Sequence, residues 1–196
     1  MIWLALMPAA VAAVTPAPGA TDPACAARTA ATLDPDTGTS VTVGARCGEV
    51  VIATDGSDRA FSWGSARYRG ELPADYQLTL WWQRLSADSH RTLELFVPGG
   101  AILVRDGAYA FYENDARFVA EGWQPRAGLD TRAPHCLRVV QHGVVLQAWL
   151  DDDPLGTYTF TARPATGHLR IGLKGERGYR GRMRYRELVV EPLAAQ

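Results

Sequence analysis

Two stretches near the end of the chain decide the fold: GHLRIGLKGERGYRGRMRYRELVVEPL, from Gly167 to Leu193, and LRVVQHGVVLQAWLDDDPLG, from Leu137 to Gly156. In the second stretch, apolar residues alternate with other residues on both sides of His142-Gly143, which is the pattern of a hairpin with one buried face. The first stretch repeats this logic around a Gly-rich turn, with Leu169, Ile171 and Leu173 before it and Met183 and Tyr185 after it. Both stretches therefore predict antiparallel strands.

The rest of the chain extends the same pattern and predicts an all-β protein. From Val41 onward, short apolar-alternating segments are separated by Gly, Pro and Asp turns, without a sustained helical period. The strands expected upstream and between the two stretches are Val41 to Val43, Glu49 to Ala53, Ala60 to Trp63, Tyr76 to Leu85, Thr92 to Val97, Ala101 to Arg105, Tyr109 to Tyr112 and Tyr158 to Thr161. At 196 residues and 47% hydrophobic residues, the chain can bury one substantial core. We expect a single two-sheet antiparallel jelly-roll sandwich.

These motifs carry a resemblance to a known superfamily. The two stretches, together with DYQLTLWWQRLS from Asp75 to Ser86, resemble the concanavalin A-like jelly rolls of lectins, laminin-G-like modules and glucanases. Within that superfamily the sequence is most similar to the 3-keto-disaccharide hydrolase-like domains. The resemblance covers roughly residues 40–193 and rests on packing and turn motifs, so it implies a fold more than an activity. It also implies a concave sheet face on which ligands bind.

The segment before the sandwich predicts export. Residues 1–20 contain an apolar, Ala-rich run that is too short to span a bilayer and is followed by small residues, as in a signal peptide, although no Lys or Arg precedes Arg28. Residues 21–39 form an N-terminal segment in which Asp22-Pro23 predicts the start of a short helix over Ala24 to Thr32. The sandwich is expected over residues 40–196. We therefore expect a secreted or periplasmic protein with no membrane span in the mature chain.

The three cysteines allow one disulfide at most. A bridge between Cys25 and Cys47 would tether the N-terminal segment to the first strand in an oxidising compartment. A bridge between Cys47 and Cys136 and three buried free thiols are the alternatives. A zinc site is not expected, because there is no Cys-x-x-Cys and the histidines lack ligand spacing.

The charge pattern excludes a general polyanion binder. The formal net charge is −1, which gives no overall attraction to nucleic acid. Six cations are clustered near the last turn: Lys174, Arg177, Arg180, Arg182, Arg184 and Arg186. They fit an edge strand that is protected against pairing, and recognition of an anionic glycan or phosphate is the alternative.

Period-2 alternation selects candidate ligand residues. Tyr76, Leu78, Leu80 and Trp82 form a uniformly apolar set, which leaves Trp81 on the opposite face among polar residues. The same reasoning places Trp149 outward on its strand and separates Glu94 and Phe96 from Leu93 and Leu95. If the three strands share a face, the expected carbohydrate-binding set is Trp81, Gln83, Glu94, Phe96, Arg138, Gln147 and Trp149. Indoles can stack on sugar rings while amides, Glu and Arg bind hydroxyls, and packing of these aromatics under loops is the alternative.

The sequence supports a catalytic or metal site less than it supports a ligand-binding face. Glu94 is the one candidate catalytic acid, but no second acid follows it two or four residues later, as the glucanase motif requires. Asp151, Asp152 and Asp153 end a strand and could offer oxygens to calcium, with divergence into solvent as the alternative. The sequence favours a carbohydrate-binding or other ligand-binding module. The alternatives are a glycan-active hydrolase with Glu94 in its cleft and a structural or adhesive module with no small-molecule site.

Overall fold

The architecture is all-β. The computed structural model describes residues 15–16, 33–35, 39–43, 49–54, 61–86, 92–113, 117–118, 122–164, 166–176 and 181–194. Within these ranges there are sixteen strands and no helix. All strand pairs are antiparallel except β1 with β3, and the two sheets form a sandwich.

Sheet A has eight strands in the spatial order β1-β3-β4-β16-β6-β12-β13-β14. Their bounds are Thr15–Pro16 (β1), Thr39–Val43 (β3), Val50–Thr54 (β4), Arg182–Pro192 (β16), Tyr76–Arg84 (β6), His135–His142 (β12), Val145–Leu150 (β13) and Asp153–Thr159 (β14). Both stretches that decide the fold contribute to this sheet. Its centre is β6, which pairs with β16 on one side and with β12 on the other.

Sheet B has the order β10-β9-β8-β7-β15-β5-β2, with β11 paired to β9 beside that path. Its strands are Arg117–Phe118 (β10), Ala108–Glu113 (β9), Gly100–Arg105 (β8), Thr92–Val97 (β7), Gly167–Glu176 (β15), Phe61–Leu72 (β5), Leu33–Pro35 (β2) and Gln124–Pro125 (β11). The short strands β1 and β2 show that the segment before residue 40 also pairs with the sheets.

The core lies between the sheets and follows the predicted alternation. Along β6, Tyr76, Leu78, Leu80 and Trp82 are at most 1% exposed, and the intervening residues are half-buried. The inward residues of β12, β13 and β16 join those of β7 and β15 in one cluster. Tyr185 connects the sheets directly, because its hydroxyl donates to the Gly172 carbonyl oxygen at 2.6 Å. The expected antiparallel sandwich is confirmed.

A buried ion pair fixes the end of β6. Arg84 is 2% exposed, and its Nη2 contacts Asp106 Oδ2 at 2.7 Å while its Nε donates to Thr131 Oγ1 at 2.7 Å. The Thr131 hydroxyl and backbone N–H both donate to Asp106 Oδ1, at 2.6 and 2.8 Å. This clamp joins strand β6 of sheet A to the β8–β9 turn of sheet B.

Two strand predictions need correction. β5 extends to Leu72, well beyond the predicted Ala60 to Trp63, because Ala66 and Leu72 are buried even though charged residues alternate with them. β14 begins at Asp153 rather than Tyr158. The reason is the turn before it, in which Asp151 and Asp152 both have positive φ, 53° and 69°, so a two-residue hairpin turn brings Asp153 opposite Leu150.

The structure does not test two predictions about the N-terminal segment. The short helix over Ala24 to Thr32 and the Cys25–Cys47 bridge lie outside the described residues. Cys136 is a half-buried free thiol, so the alternative bridge between Cys47 and Cys136 is not formed.

Candidate functional site

Trp81 and Trp149 face outward on the same side of sheet A. Trp81 lies opposite Cys136 of β12, and Trp149 lies opposite Arg138 of the same strand, so the two indoles are separated by one strand and two residues of offset. Both are half-buried. The outward assignment made from alternation is therefore confirmed for both tryptophans.

Each of these indoles is covered by an arginine. The Cζ atom of Arg138 lies 4.0 Å from the centre of the Trp149 ring, and that of Arg186 lies 5.7 Å from the Trp81 ring. We call the outward surface formed by Trp81, Arg138, Trp149 and Arg186 the arginine face. Its indoles lie under guanidinium groups rather than open to solvent, so their stacking partner is already present on at least one side.

The two glutamines expected beside these indoles differ in availability. Gln83 donates its amide to the Arg132 carbonyl oxygen at 2.8 Å and accepts from Arg184 Nη1 at 3.4 Å. Gln147 points outward on β13 and makes no side-chain hydrogen bond within the described part of the chain. Gln83 is thus committed to the protein, whereas the Gln147 amide has no protein partner among the described residues.

Glu94 and Phe96 do not join that face, and the predicted grouping is wrong for them. Both lie on β7, which belongs to sheet B and pairs with β8 and β15. Because Leu93 and Leu95 point into the core, Glu94 and Phe96 point to the outer side of sheet B. The sequence gives the alternation of a strand correctly but does not reveal which sheet the strand enters.

On sheet B these two residues belong to a different surface. Phe96, Ala101 and Tyr112 lie in one row across β7, β8 and β9, so a methyl group separates two aromatic rings. The next row contains Glu94, Leu103 and Ala110, and Trp123 comes just before β11 on the far side of β9. Phe96, Tyr112 and Trp123 are partly buried against a floor of Ala101, Leu103 and Ala110. We call this set of seven residues the aromatic trough.

The trough combines apolar surface with a desolvated acid. Glu94 is only 3% exposed although it points away from the core. Burial, and then the charge of Glu94, raise the pKa of the Tyr112 hydroxyl above its usual range. Arg105 lies over the Trp123 ring at 4.0 Å. A neutral phenol, a carboxylate and three aromatic rings are therefore brought together on one face.

Sequence reasoning did not select Tyr112 or Trp123 as ligand residues. The available signal was the alternation of β9, in which Tyr109 and Phe111 are inward and Ala110 and Tyr112 outward. The outward alanines Ala101 of β8 and Ala110 of β9 indicate a shared apolar floor only when the pairing of β8 with β9 is known. That pairing comes from the structure.

The three aspartates after β13 do not assemble a calcium site. Asp151 Oδ2 lies 2.6 Å from His135 Nδ1, and its Oδ1 accepts from the Cys136 N–H at 2.8 Å. Asp153 Oδ2 instead pairs with Arg126 Nη2 at 3.1 Å. The carboxylates of Asp151 and Asp153 thus diverge to separate protein partners. Among the described residues no group of three His, Cys, Asp or Glu side chains could hold a metal ion.

A pocket of about 340 Å³ lies at one end of the sandwich, lined in part by Glu113, Phe160, Thr161 and Arg163. Glu113 is occupied there: the Tyr158 hydroxyl donates to it at 2.7 Å, and the Thr161 hydroxyl and N–H donate at 2.8 and 3.1 Å. These hydrogen bonds lower the pKa of Glu113 below its usual range. Its carboxylate therefore fastens β9 to the end of β14.

Comparison with known proteins gives no match to a family model and no match to a curated protein. Solved structures do match. The carbohydrate-binding module CBM66 from Bacillus subtilis has a TM-score of 0.50 and 14% identity, covering 71% of this chain and 86% of its own. The alginate lyase AlgAT5 from polysaccharide lyase family 7 has a TM-score of 0.51 and 11% identity, covering 79% of this chain and 82% of its own. These matches show that the chain shares their fold, a two-sheet antiparallel jelly-roll sandwich.

A sialidase also contains this jelly roll, with a TM-score of 0.52 and 9% identity. The match covers 80% of this chain but only 17% of the sialidase, so this chain corresponds to a small part of that protein. At these identities the comparisons establish the fold alone. The narrower resemblance to 3-keto-disaccharide hydrolase-like domains stays a prediction. In the described residues of this jelly roll, no helix is long and apolar enough to span a membrane.

Proposed function

We propose that this jelly roll binds a glycan in the aromatic trough of sheet B. The observation that carries the proposal is the row of Phe96, Ala101 and Tyr112 beside Glu94. Strands lie about 4.8 Å apart, so the two aromatic side chains start roughly 10 Å from each other with only a methyl group between them. The floor between them is buried, whereas Phe96 and Tyr112 are half-buried, so the exposed parts of these two rings are the surface on which a flat ring can stack.

The chemistry of the trough fits a sugar. A pyranose ring presents apolar C–H surface, which packs on Phe96 and Tyr112, and hydroxyl groups, which need acceptors. Glu94 supplies a carboxylate acceptor in a water-poor setting, where a hydrogen bond to a charged group is strong. Tyr112 keeps its phenolic proton and can donate.

Two further points support the proposal. Neighbours with the same fold include a carbohydrate-binding module and an alginate lyase. The apolar leader expected over residues 1–20 fits a protein that works in the secreted or periplasmic space, where such ligands occur.

Hydrolysis is the alternative that the trough supports less. A glycosidase needs a second carboxylate beside Glu94. Among the described side chains of β7, β8 and β9, the only acid directed to this outer face is Glu94. The geometry therefore favours binding.

A glycan array tests the proposal. The unmodified protein is expected to retain a defined set of glycans, and Tyr112→Ala is expected to weaken their binding roughly tenfold, because one stacking contact contributes about 1 kcal/mol. Tyr112→Phe keeps the ring and should bind nearly as well. Val189→Ala removes an exposed apolar side chain from sheet A and serves as the control. Equal binding by all four proteins would exclude the trough as the site.

A further inference from the structure

We propose that the arginine face of sheet A is a second binding site, specific for an acidic polysaccharide whose carboxylates are held by Arg138 and Arg186. This site lies on the opposite side of the sandwich from the trough. It does not depend on the trough, and either site can fail alone.

The first observation is that both guanidinium groups are positioned but unused. Arg138 and Arg186 stack on Trp149 and Trp81, and neither donates a hydrogen bond nor pairs with a carboxylate within the described chain. Six other arginines in the described ranges do pair with acids: Arg69 with Asp34, Arg84 with Asp106, Arg126 with Asp153, Arg132 with Asp130, Arg163 with Asp75 and, beside the face, Arg184 with Glu49. Stacking on an indole fixes the plane of the guanidinium and leaves its N–H edge for a planar anion.

The second observation is the charge of the surrounding surface. The outward residues of β6, β12 and β13 include no acid, and β16 adds Arg182 and Arg184 beside Arg186. Acids do lie near the face: Asp151, Asp152 and Glu187 contribute, after burial itself, to raising the pKa of the Cys136 thiol beside Trp81, and Glu191 of β16 lies opposite Gln77. Asp151 is already held by His135 and the Cys136 N–H. Attraction for an anion therefore comes from the guanidinium groups of Arg138 and Arg186 themselves, which stack on indoles and pair with none of these acids.

The third observation is the distance between the two arginines and the residues that lie between them. Arg186 is opposite Trp81, which is opposite Cys136, and Arg138 is two residues further along β12. Two strand spacings and two residues of rise separate the arginines by about 12 Å at the backbone. Thr79 lies between them, next to Arg138, and Gln147 continues the face on β13. Repeated carboxylates with hydroxyl groups between them are the pattern of a polyuronate.

This arrangement favours an acidic polysaccharide over nucleic acid. Proteins bind single-stranded nucleic acid by stacking its bases on open aromatic side chains. On this face a guanidinium group already occupies one side of each indole. A carboxylate accepts two parallel N–H bonds from one guanidinium, which makes Arg the residue suited to this contact.

Binding of polygalacturonate at low salt tests the proposal, with dextran as the neutral polymer. We expect the protein to bind polygalacturonate and Arg138→Gln and Arg186→Gln each to weaken that binding roughly tenfold, as expected for loss of a charge-assisted contact. Arg138→Lys keeps the charge but loses the planar fork, and it should recover only part of the affinity. Higher salt should weaken binding by the unmodified protein.

Arg67→Gln is the matched control, because it removes the same charge from the exposed outer side of sheet B. It should leave polygalacturonate binding unchanged, and thermal melts establish that each variant is folded. Three results would overturn the proposal: no binding of polygalacturonate by the unmodified protein, equal loss in Arg67→Gln, or equally tight binding of duplex DNA or phosphatidylserine vesicles. Loss of array glycans in Tyr112→Ala with polygalacturonate binding intact would separate the two sites.

Discussion

Trp81 and Trp82 are neighbours in the sequence and lie on opposite sides of sheet A. Trp82 is 1% exposed and contacts the His135 ring at 5.4 Å between centres, whereas Trp81 is half-buried under Arg186. Trp82→Ala should therefore lower the free energy of unfolding by about 3 to 5 kcal/mol, as for other buried aromatics. Trp81→Ala should cost about 1 kcal/mol, mainly the lost stacking. Chemical denaturation of both variants measures the difference, and similar losses would contradict the assignment of faces.

The hydrogen bonds of Glu113 predict how the stability of the protein depends on pH. Its pKa lies below the ordinary 4.5 because Tyr158 and Thr161 donate hydrogen bonds to the ionised form. A lowered folded-state pKa stabilises the protein above the unfolded-state value, and this stabilisation disappears as pH falls through the folded-state value. Glu113→Gln should thus lower the melting temperature at pH 7, and the gap to the unmodified protein should shrink below about pH 4.5. Glu191→Gln, at an exposed carboxylate, is the control, and a gap that persists unchanged at pH 3 would refute the assignment.

Among the elements, the end of β6 depends on the clamp formed by Arg84, Asp106 and Thr131. Asp106→Asn would remove the charge of the Asp106 carboxylate from the Arg84 guanidinium, which is buried because the Arg84 side chain is 1% exposed. Losing one partner of a fully buried pair costs about 3 to 5 kcal/mol, and the 30% exposure of Asp106 reduces this to about 2 to 3 kcal/mol. Urea denaturation should show this loss, with Asp153→Asn as the control because its pair with Arg126 is more exposed. A loss no larger than that control's would mean that the clamp contributes little.

The elements also show what could be predicted from the sequence. Strands β6, β12 and β13 were predicted with their faces, because a strict apolar alternation fixes the register of a strand with one buried side. The assignment of Glu94 and Phe96 failed because alternation within β7 is the same whichever sheet it enters, and the pairing of β7 with β15 joins residues far apart in the sequence. β5 was underestimated because Arg67, Arg69 and Glu71 conceal its apolar side.

For the whole molecule, the sandwich separates two surfaces of different chemistry. Sheet B presents the aromatic trough with one desolvated acid, and sheet A presents two arginines that stack on indoles. Because the core lies between them, a substitution on one surface leaves the other in place. The candidate carbohydrate-binding residues of the sequence are thus divided: Glu94 and Phe96 belong to the trough, and Trp81, Gln83, Arg138, Gln147 and Trp149 lie on the side of sheet A that carries the arginine face.

Nuclear magnetic resonance titration of the labelled protein with a glycan selected from the array tests the central claim most directly. Backbone amide shifts should change at the trough, on Glu94, Phe96, Ala101, Leu103 and Tyr112 of β7, β8 and β9. Amides of β12 and β13 in sheet A should stay unchanged with a neutral glycan. Shift changes confined to sheet A or to the loop end near Glu113, with the trough unaffected at saturation, would contradict glycan binding in the aromatic trough.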